Sequence, residues 1–345
     1  LGPWYPATAP RRPLAGRGRQ DPSLPAWGGG SNPAPVPGVI HRLLLAPLLA
    51  AFARVGADAA GRAGAALGVL AFHLGVRRRV VSANLARALG LRGAERRAIA
   101  RRSFASMGAN FVEIWTFGHP DAGPERGIRR LNPRWQELVH RRHPGAVFLA
   151  LHLGSWDVAG YSIGPLAGRF LVYAKAQRDV ALDTLVNRQR ALANMDVLFA
   201  RSGGRTGAVT VMRALRGGRP VGLLADQKPS ADEGVPAWFL GQATSCHAGP
   251  AFFASRARVP MVPAFCLREG AGRYAVFYGR PIFCVSGEAA LAQAGMDRLS
   301  AIIAAFPGQY FWHHRRFKRP LTLPPRAREP WRARGLRLLV DRDDG

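Results

Sequence analysis

The sequence predicts an α/β fold in which helices flank a central, largely parallel mixed sheet, with hydrophobic helices before it at the N-terminus. The chain has 345 residues, 48% of them hydrophobic, which is enough for one large domain with a deep core. From residue 147 onward, short runs of β-forming residues alternate with helical segments, as in βαβ units. Before that point, alanine- and leucine-rich segments have helical periodicity.

The N-terminal part of the chain divides into two segments of different composition. Residues 1–38 contain nine prolines and seven glycines, and we expect a disordered leader because they cannot bury enough apolar surface to fold. Residues 39–79 are expected to form a hydrophobic membrane-associating helical segment. Its apolar run, 43–53, is shorter than the about 20 residues of a membrane-spanning helix, so a helix lying in the membrane interface is expected. A buried hairpin of helices is the alternative.

The main domain is predicted to cover residues 80–320, followed by a basic tail at 321–345. Residues 80–118 are expected to be helical, with a break at 90–93 and an end at the His119-Pro120 pair. The strand-type runs cover 147–151, 170–174, 197–200, 221–226, 261–267 and 274–278. Helical segments are expected from Asp157 onward and over 179–194, 206–216 and 289–306, with a last apolar segment at 309–313.

The charge balance limits the classes of partner. The chain has 49 basic and 21 acidic residues, a net charge of +28, which favours nucleic acid, anionic lipid or an acidic carrier protein. A general compositional bias toward arginine explains part of the excess equally well. The three cysteines lie 20 and 18 residues apart, which fits neither a disulfide framework nor a zinc site, so reduced thiols and no metal are expected.

The segment that follows the first strand-type run of the main domain contains a candidate catalytic pair. His152 lies directly after that run, where ligands bind in open α/β sheets. Gly154 permits a tight turn, and Asp157 would lie in the first turn of the next helix, from which its carboxylate could reach back to the imidazole. Such a pair can take a proton from a hydroxyl group. A structural histidine with a helix-capping aspartate is the alternative.

Five segments, in order, resemble the motifs of the bacterial late lipid A acyltransferases and of the related acyltransferases that act on phosphatidylinositol mannosides. The segment 152–160, HLGSWDVAG, resembles their catalytic H-x4-D/E motif. The others are 78–85 (RRVVSANL), 221–227 (VGLLADQ), 239–249 and 307–320 (PGQYFWHHRRFKRP). The resemblance covers roughly residues 40–320 and implies an α/β acyltransferase of the lysophospholipid acyltransferase superfamily that uses no cofactor.

The resemblance implies a reaction that these residues could perform. His152, held by Asp157, would act as general base on a hydroxyl of the acceptor lipid, which then attacks the thioester of an acyl group on acyl carrier protein. The backbone N–H groups of Gly154 and Ser155, or a nearby cation, are candidates to bind the oxyanion. Neither serine nor cysteine lies in a nucleophile elbow, so no acyl-enzyme is expected.

One strand later the sequence departs from the family. Relatives have a Tyr-Arg-Pro type segment where this chain reads VYAKAQR over residues 172–178. Lys175 or Arg178 could bind phosphate or the oxyanion instead, although lysine lacks the planar fork of arginine. A solvated role for Lys175 is the alternative. Asp226 ends an apolar strand and is expected on the same side of the sheet as His152, as a substrate-binding residue or as a turn residue.

Further substrate contacts are expected from Trp156 and from the basic C-terminal motif. Arg315, Arg316 and Lys318 lie beside the aromatic residues of that motif and could hold a phosphorylated headgroup or an acidic carrier protein. A solvated basic tail is the alternative for this motif.

Taken together, these features predict an acyltransferase on the cytoplasmic face of the inner membrane, at an anionic surface. The predicted acceptor is a lipid A precursor. The alternative is another glycolipid or a glycerophospholipid, with acyl-CoA as donor. A basic nucleic-acid-binding protein is a rival class, but recognisable nucleic-acid modules are missing. A member of the family that has lost activity is disfavoured because both His152 and Asp157 are present.

Overall fold

The structure, a computed structural model, describes residue 51, residues 54–119, 121, 123–174, 180–199, 205–230, 233–318 and 320–324. Its helices are α1 Ala57–His73, α2 Arg78–Leu89, α3 Gly93–Glu113, α4 Pro133–Arg142, α5 Trp156–Ala167, α6 Val180–Leu192, α7 Arg205–Arg216, α8 Gly249–Ala257 and α9 Glu288–Ala305. Its strands are β1 Ile128–Arg130, β2 Val147–Ala150, β3 Phe170–Ala174, β4 Met195–Phe199, β5 Val221–Leu224, β6 Gly234–Phe239, β7 Gln242–His247, β8 Met261–Gly270 and β9 Arg273–Tyr278.

Seven strands form the main sheet, in the order β1-β9-β8-β2-β5-β3-β4. The strands β8, β2, β5, β3 and β4 are parallel to one another, whereas β9 runs antiparallel to β8. The central strands β2 and β5 are buried on both faces, as expected for a parallel sheet covered by helices. β6 and β7 form a separate antiparallel hairpin. The predicted α/β fold with a largely parallel sheet is confirmed.

Two N-terminal helices, α1 and α3, cross at very short distance. A Cβ atom at Gly68 would lie 2.0 Å from the Phe104 carbonyl oxygen, and one at Gly108 would lie 2.1 Å from the Gly64 carbonyl oxygen. Only glycine allows the two backbones to approach this closely. These glycines therefore fix α1 against α3, the helix that continues toward the sheet.

Three side chains, two on helix α2 and one just before it, hold the segment 312–317. Arg77, just before the helix, donates at 3.0 Å, Asn84 donates two hydrogen bonds at 2.7 Å, and Arg87 donates at 2.6 Å. The acceptors are the backbone carbonyl oxygens of Trp312, His313, His314 and Phe317. Two motifs that lie far apart in sequence, 78–85 and 307–320, therefore meet in the fold.

Each strand expected from residue 147 onward is present, with ends that differ by a few residues. The expected helices at 80–118 are α2 and α3, separated at residues 90–92. The sequence pattern did not predict β1, α4, the β6–β7 hairpin or α8. The predicted leader and the apolar run 43–53 lie almost wholly outside the described residues, as does the tail beyond 324. Within the described part no single helix is long and apolar enough to cross a membrane, and α1 and α2 pass that test only as a pair bent by 91°.

Candidate active site

The site lies at the carboxyl ends of two neighbouring parallel strands, β2 and β5. In their register Ala150 pairs with Leu224, the last residue of each strand. His152 and Asp226 each follow two residues later, so both emerge at the same edge of the sheet, where ligands bind in open α/β folds. The expectation that Asp226 lies on the same side of the sheet as His152 is confirmed.

His152 and Asp226 form a hydrogen-bonded pair. Nδ1 of His152 lies 2.9 Å from Oδ1 of Asp226, and the backbone N–H of His152 donates to the same oxygen at 3.2 Å. The carboxylate is fully buried, whereas the imidazole is 22% exposed. A carboxylate at Nδ1 keeps the proton on that nitrogen, so Nε2 has the lone pair that can accept a proton from a substrate.

The surroundings of Asp226 keep its carboxyl group ionised. Burial raises the pKa of Asp226, but the charge and hydrogen bond of His152, a backbone N–H and the Tyr310 hydroxyl together bring it below its ordinary value. Burial, and then the charge of Asp226, raise the pKa of Tyr310 well above its ordinary value. A neutral Tyr310 hydroxyl therefore lies beside an anionic Asp226.

Asp157, which the spacing predicted as the partner of the imidazole, has a different partner. Its carboxylate accepts a hydrogen bond from Arg190 Nε at 2.8 Å, and Arg190 Nη1 also donates to Asn187 at 3.2 Å. Asp157 lies in the first turn of α5 and Arg190 in the last turn of α6, so this ion pair connects two helices. The predicted pairing is wrong because the carboxylate that follows β5 already occupies Nδ1 of His152.

The backbone N–H groups of Gly154 and Ser155, predicted to bind an oxyanion, already have acceptors. The Gly154 N–H donates to the Gln309 carbonyl at 3.0 Å, and the Ser155 N–H donates to the Cys266 carbonyl at 3.2 Å. Gly154 has a φ of +60°, and a Cβ atom there would lie 1.9 Å from the Cys266 oxygen. These amides therefore fix the turn after β2, and the predicted oxyanion role is corrected.

Two aromatic rings and one amide surround the His152 imidazole. Trp156 packs edge-on to it with ring centroids 5.1 Å apart, and Phe311 lies 5.9 Å away. The side-chain amide nitrogen of Gln227 lies 3.3 Å from each of the two ring nitrogens. The imidazole is therefore bordered by apolar surface, which suits an acyl chain, and by the side-chain amide of Gln227.

Arg316, predicted to bind substrate, is buried and fully engaged within the protein. Its guanidinium donates to the Asp226 carbonyl at 2.8 Å, to Thr244 Oγ1 at 3.0 Å, to the Ser245 carbonyl at 2.9 Å and to Cys246 Sγ at 3.0 Å. It connects the end of β5 to β7 and is only 3% exposed. Its role in substrate binding is therefore corrected to support of the Asp226 backbone.

The remaining predicted site residues separate by exposure. Arg315 and Lys318 are exposed and remain free to contact a substrate. Asp226 is fully buried, so the prediction that it contacts substrate is wrong. Its carboxylate holds the imidazole of His152 instead. Lys175 and Arg178 belong to the stretch 175–179, which the structure does not describe.

Several functional residues were missed by sequence reasoning. Gln227 could have been found, because it directly follows Asp226 in the VGLLADQ motif. No pattern in the sequence pointed to Arg190, which lies 33 residues after Asp157. Across the described ranges, the histidine, cysteine and carboxylate side chains form no group of three that could hold a metal ion.

Comparisons with known proteins identify the family of this chain. The family described as "Bacterial lipid A biosynthesis acyltransferase" matches residues 35–319. A phosphatidylinositol mannoside acyltransferase of Mycolicibacterium smegmatis is 29% identical over 216 residues, which are 62% of this chain and 69% of that protein. The phosphatidylinositol mannoside acyltransferases of two strains of Mycobacterium tuberculosis are 32% identical over 174 residues, and the match spans about half the length of these relatives, 52%. Because the family match covers most of the sequence, the chain belongs to the bacterial lipid A biosynthesis acyltransferase family and is an acyltransferase.

Proposed function

We propose that this protein is a membrane-associated O-acyltransferase that moves a fatty acyl group from a thioester to a hydroxyl group of a membrane glycolipid. The observation that carries the proposal is the hydrogen-bonded pair of the partly exposed imidazole of His152 with the buried carboxylate of Asp226. Such a pair deprotonates a hydroxyl group without a covalent intermediate on the enzyme.

In the proposed reaction Nε2 of His152 removes the proton from the acceptor hydroxyl as its oxygen attacks the thioester carbonyl. The new C–O bond gives a tetrahedral oxyanion. The Gln227 amide, which contacts the imidazole, is the proposed N–H donor to this oxyanion. Collapse of the oxyanion breaks the C–S bond, and the His152 imidazolium returns its proton to the leaving thiolate. Asp226 stabilises the imidazolium throughout.

The acceptor is proposed from the relatives. The three similar proteins reported above carry the name phosphatidylinositol mannoside acyltransferase, so a phosphatidylinositol mannoside is the first acceptor to test. A lipid A precursor is the second, because the family description names lipid A biosynthesis. Both are anionic glycolipids, and the exposed cations Arg315 and Lys318 suit their phosphate groups.

The donor is proposed to be acyl-CoA or an acylated acyl carrier protein. Both present the same phosphopantetheine thioester. The two differ in size and surface, because the carrier is an acidic protein that a strongly basic chain would attract. A carrier donor would show a KM that rises steeply with ionic strength, whereas acyl-CoA would show a weaker dependence.

The described part of the chain also supports attachment to a membrane surface, which we propose is the cytoplasmic face of the inner membrane. Leu67 and Leu70 on α1, together with Leu74 just after it, form an exposed apolar stripe, with Leu74 73% exposed. Exposed arginines at 77–79 follow this stripe directly. Apolar side chains beside a basic cluster are typical of proteins that lie on anionic membranes.

The test is acyl transfer by the purified protein from a radiolabelled long-chain acyl-CoA to each acceptor, in anionic vesicles. His152→Ala is expected to lower kcat by about 10²–10⁴-fold. His73→Ala, at an exposed position on α1, is the matched control and is expected to keep full activity. Transfer by the His152→Ala protein at the wild-type rate would refute the assignment.

A further inference from the structure

The turn that carries His152 is held on all sides by hydrogen bonds to its backbone. The His152 carbonyl accepts from the Phe311 N–H at 2.9 Å, and the N–H groups of the next turn residues donate to backbone carbonyls. The Gly154 carbonyl is different, because it accepts from a side chain: Nδ2 of Asn110, on α3. Asn110 is only 6% exposed. A buried carbonyl that loses this donor would have no solvent to replace it.

The Asn110 amide is itself oriented by a buried ion pair. Nη2 of Arg268 donates to Oδ1 of Asn110 at 3.2 Å, which turns the NH₂ group of the amide toward Gly154. Nη1 of Arg268 forms an ion pair with Glu113, one turn after Asn110 on α3, and the guanidinium lies over the Tyr274 ring at 5.6 Å. Arg268 is therefore held from two sides, and the amide has one favourable orientation.

The Arg268 backbone adds a second connection to the same turn. Its N–H donates to Oε1 of Gln309 at 2.8 Å, and its carbonyl accepts from Nε2 of Gln309 at 3.0 Å. The Gln309 carbonyl in turn accepts the Gly154 N–H. Both polar groups of Gly154 are thus connected to Arg268, one through Asn110 and one through Gln309.

We propose that Asn110 is a positioning residue for acyl transfer, which holds the Gly154 carbonyl so that the imidazole of His152 points at the acceptor hydroxyl; this inference rests on the proposed function. Asn110 acts on His152 through the backbone of Leu153 and Gly154. If the imidazole were displaced by a fraction of an ångström, the enzyme would still bind its substrates, but proton transfer would be slower. The kinetic signature is therefore a lower kcat with an unchanged KM.

Asn132 offers a matched control for a purely structural effect. It is 5% exposed, and its Nδ2 donates to the Tyr278 carbonyl at 2.7 Å, so the same kind of bond is lost on substitution. Its Oδ1 accepts from Gln136 Nε2 at 3.1 Å and from the Tyr278 N–H at 3.2 Å. These bonds support α4 and β9 rather than the turn after β2.

The experiment compares Asn110→Ala with Asn132→Ala in acyl transfer from a long-chain acyl-CoA to phosphatidylinositol mannoside. Asn110→Ala is expected to lower kcat by about 10- to 100-fold, with KM for the thioester unchanged. Both variants are expected to lower the melting temperature, and by similar amounts. Asn132→Ala is expected to keep the wild-type kcat at a temperature where both variants are folded. Arg268→Lys keeps a cation beside Glu113 but cannot also orient Asn110, and a several-fold lower kcat is expected.

The outcomes separate the two proposals. If His152→Ala is inactive and Asn110→Ala has the wild-type kcat, the positioning role is wrong while the proposed function stands. Equal losses of kcat in Asn110→Ala and Asn132→Ala would also overturn the positioning role. If His152→Ala is active, the proposed chemistry fails and the positioning role fails with it. Should Asn110→Ala not fold, Arg268→Lys decides, and a wild-type kcat in that variant contradicts the inference.

Discussion

Two aspartates lie near the candidate base, and the protein places them in opposite environments. Asp226 follows a central strand, is fully buried and accepts hydrogen bonds from the ring and the backbone of His152. Asp157 lies on the first turn of α5, only five residues after His152, and its carboxylate, 14% exposed, pairs with Arg190. Asp157 is therefore the aspartate nearer to His152 in sequence, whereas Asp226 is the one that contacts His152 across neighbouring strands.

The difference shows that strand register decides which groups meet at the edge of a parallel sheet. When the last residues of two adjacent strands are paired, the residues that follow them are neighbours whatever their separation along the chain. The reason is that adjacent strands lie about 4.8 Å apart. A residue in the first turn of a helix instead follows the direction of that helix, and α5 directs Asp157 to α6. Substitutions at the two aspartates should therefore have unequal effects on catalysis.

The largest effect is expected from Asp226→Asn. The amide keeps the shape of the carboxylate but cannot hold the Nδ1–H tautomer of His152 or stabilise its imidazolium, so kcat should fall by about 10³–10⁴-fold. The measurement is steady-state acyl transfer, with circular dichroism to show that the variant is folded. A kcat within a factor of a few of the wild-type value would mean that the pair with His152 has no catalytic role.

A smaller effect is expected from Asp157→Asn. Loss of the charge leaves Arg190 without its ion-pair partner, so the free energy of unfolding should fall by about 1–3 kcal/mol. We expect kcat to fall by only about tenfold, through a small displacement of the start of α5 next to the turn that carries His152. Denaturant unfolding and acyl transfer measure the two effects. If Asp157→Asn lowers kcat more than Asp226→Asn does, the comparison is reversed and Asp157 is the catalytic partner.

The smallest effect concerns pH. His314 lies near Asp226; burial lowers its pKa to about 4, since the raising effect of Asp226 is smaller. A histidine has a pKa of about 6.5 in the unfolded chain. Between these two pKa values the unfolded state binds more protons than the folded state. The contribution of neutral His314 to the free energy of unfolding is therefore complete above about pH 6.5 and is lost as the pH falls toward 4.

His314→Asn should therefore reduce the loss of unfolding free energy between pH 7 and pH 5 by about 1 kcal/mol. The measurement is urea unfolding at both pH values, and His73→Asn, at an exposed position on α1, is the control. An unchanged difference between the two pH values would show that His314 does not contribute to the pH dependence of stability.

Much of the fold and the position of the candidate base could be predicted from the sequence. The strands from residue 147 onward have apolar runs that local patterns indicate well, and His152 follows one of them in a motif of recognisable order. Gly154 was correctly expected at a turn, and its φ of +60° gives the physical reason. The hairpin of β6 and β7 was missed because β6 contains Pro236 and β7 consists of mixed small and polar residues.

The partners within the site could not be predicted because they depend on which strands are neighbours. Nothing in one dimension shows that β5 lies beside β2, with Asp226 74 residues from His152. The basic C-terminal motif illustrates the same limit, because Arg315 and Arg316 are adjacent and of one type. Arg315 is exposed, whereas Arg316 is buried and donates hydrogen bonds to β7 and to the Asp226 carbonyl after β5.

The contact between α2 and the C-terminal segment has a consequence for synthesis of the protein. Arg77, Asn84 and Arg87 bind backbone groups that lie 228 to 236 residues later in the chain. On the ribosome the N-terminal helices are complete long before these acceptors exist. The segment that supplies them also supplies Arg316 and Tyr310, the neighbours of Asp226, so a nascent chain completes the surroundings of the His152–Asp226 pair only after residue 316 has emerged.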